Sequence, residues 1–263
     1  MYHLKQVPSE AQIRVYLRRI LFGKNVFCPA CRSRRVVRYD QRFRCRRCRT
    51  KFSLTSHTWL SSHRLPLQTW WLLLWCWVTQ IPVQQSAELT EISRQSTYDW
   101  FDRFRARLPE NPVILEKIVQ LDEAFGKGWT LMLGKQQGVR KAAYAFLDEP
   151  DPKRHHALFF AQSHVKPGSH LQTDGAGIYQ GIDRWWPVTH STDIHRKWEF
   201  GKTSEIEGLF GNLRTFIRRM YHHVTPDMMP KYVREFCTRF SSPDLFDSPL
   251  SYLQKTLTLV PPG

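Results

Sequence analysis

Two cysteine pairs near the start of the chain, Cys28 with Cys31 in CPAC and Cys45 with Cys48 in CRRC, constrain the fold more than any other feature. Two C-x-x-C knuckles thirteen residues apart bring four thiolates together in a tetrahedron around structural Zn²⁺. Each pair then sits on a tight turn, and the residues between form a hairpin. Val36, Val37, Phe43 and Phe52 are too few to make a core unaided, so metal ligation has to supply most of the folding free energy of this segment. Paired disulfides would need an oxidising compartment, and a redox C-x-x-C would need a βαβ context that is missing here. The first ten residues lack a signal-peptide pattern, so the expected location is the reducing cytoplasm, on the nucleoid. Cys76 and Cys237 stand alone and read as buried thiols.

The charge is concentrated on that same segment. Residues 1–60 hold 15 Lys and Arg against Glu10 and Asp40, a net charge of +13 out of +16 for the whole chain. Nine arginines decorate the ribbon, among them Arg32, Arg34, Arg35, Arg44, Arg46 and Arg47, which are expected to contact double-stranded DNA or RNA; a charge run can be a plain solvated face, but so dense a cluster repels itself unless a polyanion is near. The basic residues are interleaved with cysteine rather than laid along one amphipathic helix, which disfavours a membrane surface. With 41% hydrophobic residues the chain cannot be disordered. Its most apolar run, Trp70–Val78, is too short to span a bilayer and reads as a buried helix.

Beyond the ribbon the pattern is helical. One helix is predicted over Thr69–Thr79, broken by Pro82, and a short second over Ser86–Ile92. A third, capped by Gln95 or Ser96, carries Trp100, Phe101, Phe104 and Leu108 on one face. Arg94, Arg103, Arg105 and Arg107 fall on the other face, so the trio could be a helix-turn-helix with Arg94 and Arg103 at DNA. The stretch LPENP, 108–112, reads as a linker.

The second half alternates differently. A strand through Ile118–Leu121 is predicted to end in Asp122 and Glu123. Further strands follow at Trp129–Leu133, Lys141–Leu147 and Ala157–Ala161, and another at 170–174 ends in Asp174. From Ser204 an amphipathic helix carries Ile206, Leu209, Phe210, Leu213, Phe216, Ile217 and Met220, with Glu205 and Glu207 in its first turn. Residues two apart on a helix face different ways, so only one of those glutamates can meet the strand-end acids. Three converging carboxylates would suit two Mg²⁺ or Mn²⁺ ions and phosphoryl chemistry on DNA, although spacing alone is weak support because acids at a helix start also complement its dipole.

Taken together, CPAC and CRRC, FSLTSHTWLSSHRLPLQTWW, LDEAF, QTDGAGIY, VTHS, IEGLFGNLR and YHHV resemble, in this order, bacterial and archaeal DDE-class insertion-sequence transposases. The match is closest to the insertion sequence 1595 family with its amino-terminal zinc ribbon, and it runs from about residue 26 to 240. The resemblance implies an α/β chain. A small zinc ribbon and a helical, helix-turn-helix-like segment precede an RNase H-like catalytic domain. It implies catalytic roles for Asp122, Asp174 and Glu207, with Glu205, His190 and Arg214 as backup or auxiliary groups. Ser204 and Arg214 stand where many relatives carry Asn and Lys.

The expected organisation is a helical segment over 1–25, the ribbon over 26–55, DNA-binding helices over 56–112, the catalytic domain over 113–240 and a tail over 241–263. The tail either swaps onto a partner or packs on its own domain. The expected activity is binding of inverted repeats followed by metal-dependent cleavage and strand transfer into target DNA. Arg214, Arg218 and Arg219 would clamp phosphates, and the protein would act as a dimer or larger assembly on DNA. A domesticated DNA-binding regulator would keep the ribbon without metal binding at the acids, and an RNase H-like nuclease or resolvase would cut without joining.

Overall fold

The computed structural model describes residues 7–40, 42–61, 64–110, 112–126, 128–147, 149–192, 203–222 and 224–260. Ser62 and His63, Asn111 of the linker and His223 of YHHV therefore lie outside the described residues. The chain divides into two units, one made of residues 1–109 with 244–263 and the other of residues 110–243.

In the first unit, α1 (Glu10–Phe22) opens on a reciprocal cap between Ser9 and Gln12 and buries Ile13, Leu17, Leu21 and Phe22. The ribbon follows as a three-stranded antiparallel sheet of β1 (Val36–Tyr39), β2 (Arg42–Cys45) and β3 (Lys51–Phe52), with β2 in the middle. Phe52 is buried and stacks on Phe43 at 5.5 Å, whereas Val36 and Val37 are only half-buried.

Helices α2 (Leu67–Val78), α3 (Val83–Thr90) and α4 (Arg94–Arg105) build the unit's core. The cap of α4 is Ser93, whose hydroxyl accepts the Ser96 N–H at 3.1 Å, rather than Gln95 or Ser96. Arg105 does not lie on the exposed face expected for it. It is 3% exposed and paired with Asp102 one turn earlier, so it belongs to the buried face.

The last helix, α8 (Pro249–Thr256), packs against α1 and α2. Tyr252 rests on Trp77 at 5.1 Å and donates its hydroxyl to the Phe104 carbonyl at 2.7 Å, and Trp59 Nε1 donates to the Thr256 carbonyl. The tail is thus part of the aromatic core of the helical unit.

The second unit is an α/β domain around a five-stranded mixed sheet. Its strands are β4 (Ile118–Gly126), β5 (Trp129–Gln136), β6 (Ala142–Leu147), β7 (His170–Thr173) and β8 (Thr189–Thr192), in spatial order β6-β5-β4-β7-β8. The first three are antiparallel, while β7 runs parallel to β4 and β8 parallel to β7. This is the sheet of an RNase H-like domain.

Helix α5 (Arg154–His164) covers one face through Ala157, Phe160 and Ala161, which pack with Val119, Leu121 and Leu171. The run Ala157–Ala161 is therefore helical, not a strand; five apolar residues fit either state, and burial against the sheet decides. Gly134 makes this approach possible, because a Cβ there would meet Leu115, Phe160 and Leu121 side chains at 2.8 to 2.9 Å. Helix α6 (Ser204–Tyr221) packs on β4 and β5, and α7 (Met229–Ser241) on α6 and β6. A buried clasp joins the two helices: Glu235 accepts the Tyr221 hydroxyl at 2.7 Å and Arg239 Nε at 2.9 Å.

Candidate active site and metal centre

The four cysteines converge. Their sulfurs all lie within 4.8 Å of one another, with Cys28 Sγ to Cys48 Sγ at 3.5 Å and Cys31 Sγ to Cys45 Sγ at 3.6 Å, and none is in a disulfide. Sulfurs around a tetrahedral Zn²⁺ with bonds of ~2.3 Å stand ~3.8 Å apart, so this donor set fits that ion. The residue after the second cysteine of each knuckle, Arg32 and Arg49, is left-handed, with φ of 58° and 63°. The chain reverses there so that both sulfurs of a pair face inward. The Thr50 hydroxyl lies 3.2 Å from Cys48 Sγ and, together with the Thr50 backbone, draws that thiol down to about 6.

In the α/β unit, alternation along the strands sorts the side chains. Val119, Leu121 and Leu171 belong to the core under α5, which leaves Gln120, Asp122 and Gln172 for the face carrying α6. Gln120 Oε1 accepts the Ile206 N–H at 2.9 Å, and its amide lies 3.5 Å from Gln172 Oε1.

The parallel register of β4 and β7 runs from Ile118 opposite His170 to Gln120 opposite Gln172. Asp122 and Asp174 each lie two residues beyond the last of these pairs; both act on the carboxyl of Glu123, and Asp174 does not line the cavity that Asp122 lines. Asp122 is not at the end of its strand, as its sequence suggests, but four residues before it, because β4 continues through Ala124 to close a hairpin with β5. Asp174 follows β7 directly. Backbone amides orient both carboxylates: Asp122 Oδ1 accepts from Glu123 N at 2.8 Å and Asp174 Oδ1 from Ala176 N at 3.0 Å.

The two glutamates of α6 part company. Glu205 pairs with buried Lys135 of β5 and accepts the Gly138 N–H at 3.2 Å, and the Lys135 contact holds its carboxyl below the usual range. Glu207 is exposed, accepts the Thr203 hydroxyl at 3.1 Å, and lines a cavity of about 930 Å³ together with Asp122. Arg214, Arg218 and His222 line the same cavity, whose other wall includes Trp129 and Leu131. Arg219 is exposed on α6 without lining it, and Arg94 and Arg103 belong to the helical unit, each over an aromatic ring, Tyr98 and Trp100.

His190 sits on β8, half-buried, with Nε2 2.9 Å from Thr173 Oγ1; burial lowers its pKa. Thr173 in turn bonds the Asp174 carbonyl, so His190 lies behind the loop of Asp174 rather than in the cavity.

Three residues of the site escape sequence reasoning. Gln120 and Gln172 form a repeated Q-x-D with Asp122 and Asp174, a visible signal whose meaning appears only when the strands are placed side by side. Glu123 has no such signal. Burial pushes its carboxyl up to about 7, the Tyr179 hydroxyl opposes that, and nearby Asp122 and Asp174 reinforce it.

A family model described as the ISXO2-like transposase domain matches residues 132–241, and one described as the transposase zinc-ribbon domain matches residues 8–51; both belong to insertion sequence 1595 and together they cover more than half of the chain. The first includes Asp174, His190, Glu205 and Glu207, while Asp122 lies ahead of it. The chain is 26% identical over 133 residues to an uncharacterized protein in transposable element ISH50 of Halobacterium salinarum. That similarity covers 48% of this chain and 45% of the relative, less than half the relative's length.

Two solved structures are similar at low scores. One is the simian T-cell lymphotropic virus intasome in complex with PP2A regulatory subunit B56 gamma, with 13% identity, a TM-score of 0.35 and coverage of 64% of this chain and 67% of that one. The other is the HTLV-2 integrase catalytic core domain in complex with magnesium, with 12% identity, a TM-score of 0.33 and coverage of 49% and 88%.

Proposed function

We propose that this chain, which belongs to the insertion sequence 1595 family of transposases, binds the ends of a mobile element as a dimer or larger assembly and cleaves and joins DNA. The observation that carries the reading is one juxtaposition. Gln120 and Gln172, each two residues before an aspartate, share a register on neighbouring parallel strands, and Glu207 lines the same cavity as Asp122.

All the donors are carboxylate oxygens, the set that hard cations such as Mg²⁺ and Mn²⁺ prefer. Asp122, Asp174 and Glu207 would hold two such ions, which when bound stabilise the attacking and leaving oxygens of an in-line displacement at phosphorus. The chain's own contribution is placement. Arg214 and Arg218 face the cavity from successive turns of α6 and position the scissile phosphate through charge-assisted hydrogen bonds. Cleavage by water and joining by a 3′ hydroxyl are both displacements at phosphorus, so one site serves both without a covalent bond to the protein. Glu205, committed to Lys135, serves the fold, and His190 positions the loop of Asp174 through Thr173. The ribbon, closed on structural Zn²⁺ by its four cysteines, carries the DNA-binding arginines as one folded piece.

Asp122→Asn separates binding from chemistry. The variant is expected to hold end DNA as the parent does and to cut none of it; retained cleavage removes Asp122 from the site.

A further inference from the structure

We propose that α1 and the ribbon hairpin together form a phosphate-binding groove, in which Arg14, Arg18, Arg38 and Arg42 hold one strand of the DNA backbone. The inference deepens the reading of the chain as a DNA-binding transposase and rests on it.

Two adjoining cavities lie along α1, of about 410 Å³ and 280 Å³, and share Arg14, Arg42 and Leu54. The larger is ringed by all four arginines over a floor of Phe43 and Leu54. The smaller adds Ser53 and Thr55. Arg14 and Arg18 come from α1, Arg38 from β1 and Arg42 from β2, so folding, not sequence proximity, gathers these charges. A basic run is ordinarily a solvated face whose charges diverge. Here they point into one groove with an apolar floor.

Glu10 is the single acid among the lining residues. Its ion pair with Arg14, 2.9 Å long between side chains 38% and 53% exposed, offsets one charge of four and is weak by its exposure. Asp40 contributes its backbone carbonyl to Arg38. Among the described residues that line the two cavities, four arginines and one glutamate leave a net charge of +3.

Two adjoining cavities with several arginines suit a strand better than a lone anion. Arg14 and Arg18 lie about one turn apart on α1 and line the same cavity, so each can take a different phosphate of one strand. Guanidinium groups match phosphate oxygens in pairs. Open cavities in series accept a chain of phosphates, and the serine and threonine hydroxyls supply neutral donors at one end. These contacts carry no base information, so they set affinity and register.

The test is the salt dependence of binding by the full, zinc-loaded chain to a short random-sequence duplex. Arg14→Gln with Arg18→Gln should reduce the slope of log K against log salt by about 1, because Glu10 offsets Arg14, and Arg38→Gln with Arg42→Gln should reduce it by about 2. Lysine at the same positions should restore the slope, and zinc content should stay at that of the parent. Parental slopes in both glutamine pairs, with zinc retained, would overturn the groove. If only Arg218→Gln with Arg219→Gln lowers the slope, this proposal fails and the transposase reading stands. If the parent chain shows no salt-dependent binding, both fall.

Discussion

The side-chain carbonyl of Gln120 accepts the backbone N–H of Ile206 at 2.9 Å, from a position with no solvent exposure. Its amide faces Gln172 on the neighbouring strand. Gln120 precedes Asp122 by two residues, Gln172 precedes Asp174 by two, and Ile206 precedes Glu207 by one. One buried amide therefore ties together the three segments that carry the acids.

Gln120→Leu keeps the volume but strands the Ile206 N–H in the interior, a loss of about 1 to 3 kcal/mol of stability. Misplacing Glu207 by about an ångström should slow cleavage up to about 100-fold. Gln120→Glu retains an acceptor and should recover part of the rate. Thermal unfolding and single-turnover cleavage check the two effects; parental cleavage by the leucine variant removes the positioning role.

Glu205 and Glu207 should respond oppositely to amide substitution. Glu207→Gln is expected to lose cleavage and keep stability. Glu205→Gln should keep cleavage and cost about 1 kcal/mol at neutral pH, an estimate held low by the exposure of the pair. Because Lys135 lowers the folded pKa of Glu205, its contribution is complete above the unfolded value of 4.5 and disappears as pH falls through the lowered one. The stability gap between parent and variant should close in acid.

Glu123 runs the other way. Its folded pKa of about 7 lies above the unfolded 4.5, so the parent is favoured while the carboxyl is protonated and loses stability as pH rises between those values. In buffer free of divalent ions, Glu123→Gln should gain little at pH 5 and about 3 kcal/mol by pH 8. Urea unfolding at the two pH values measures it; an equal gain at both would contradict a buried, protonated carboxyl.

Removing one ribbon sulfur should unfold the ribbon. Cys31→Ser is expected to drop bound zinc from one ion per chain to near none and to weaken DNA binding at least tenfold, because the hairpin has almost no core without the metal. Elemental analysis beside a binding titration gives both quantities. Full DNA affinity without zinc would separate the ribbon from DNA.

What the sequence made legible follows periodicity and ligand chemistry. The cysteine spacing announces a metal site before any fold is known, and the apolar stripe of α6 places the helix to within a residue. The run Ala157–Ala161 misleads because five apolar residues have no period of their own. The strand holding Asp122 is read too short because Ala124 and Phe125 lie at a hairpin end, where one face is open to solvent. The place of the tail is hidden in the sequence for a different reason: Tyr252 finds Trp77 and Phe104 through contacts more than a hundred residues away in sequence.

A strand-transfer assay asks in one experiment whether a single site both cuts and joins DNA with carboxylate-bound metal. Labelled transposon-end DNA and a plasmid target are incubated with the chain in Mg²⁺ or Mn²⁺, in EDTA, and with Glu207→Gln. Joined product should require the divalent ion and vanish in the variant. Joined product persisting in Glu207→Gln, or cleavage that never proceeds to joining, would contradict it.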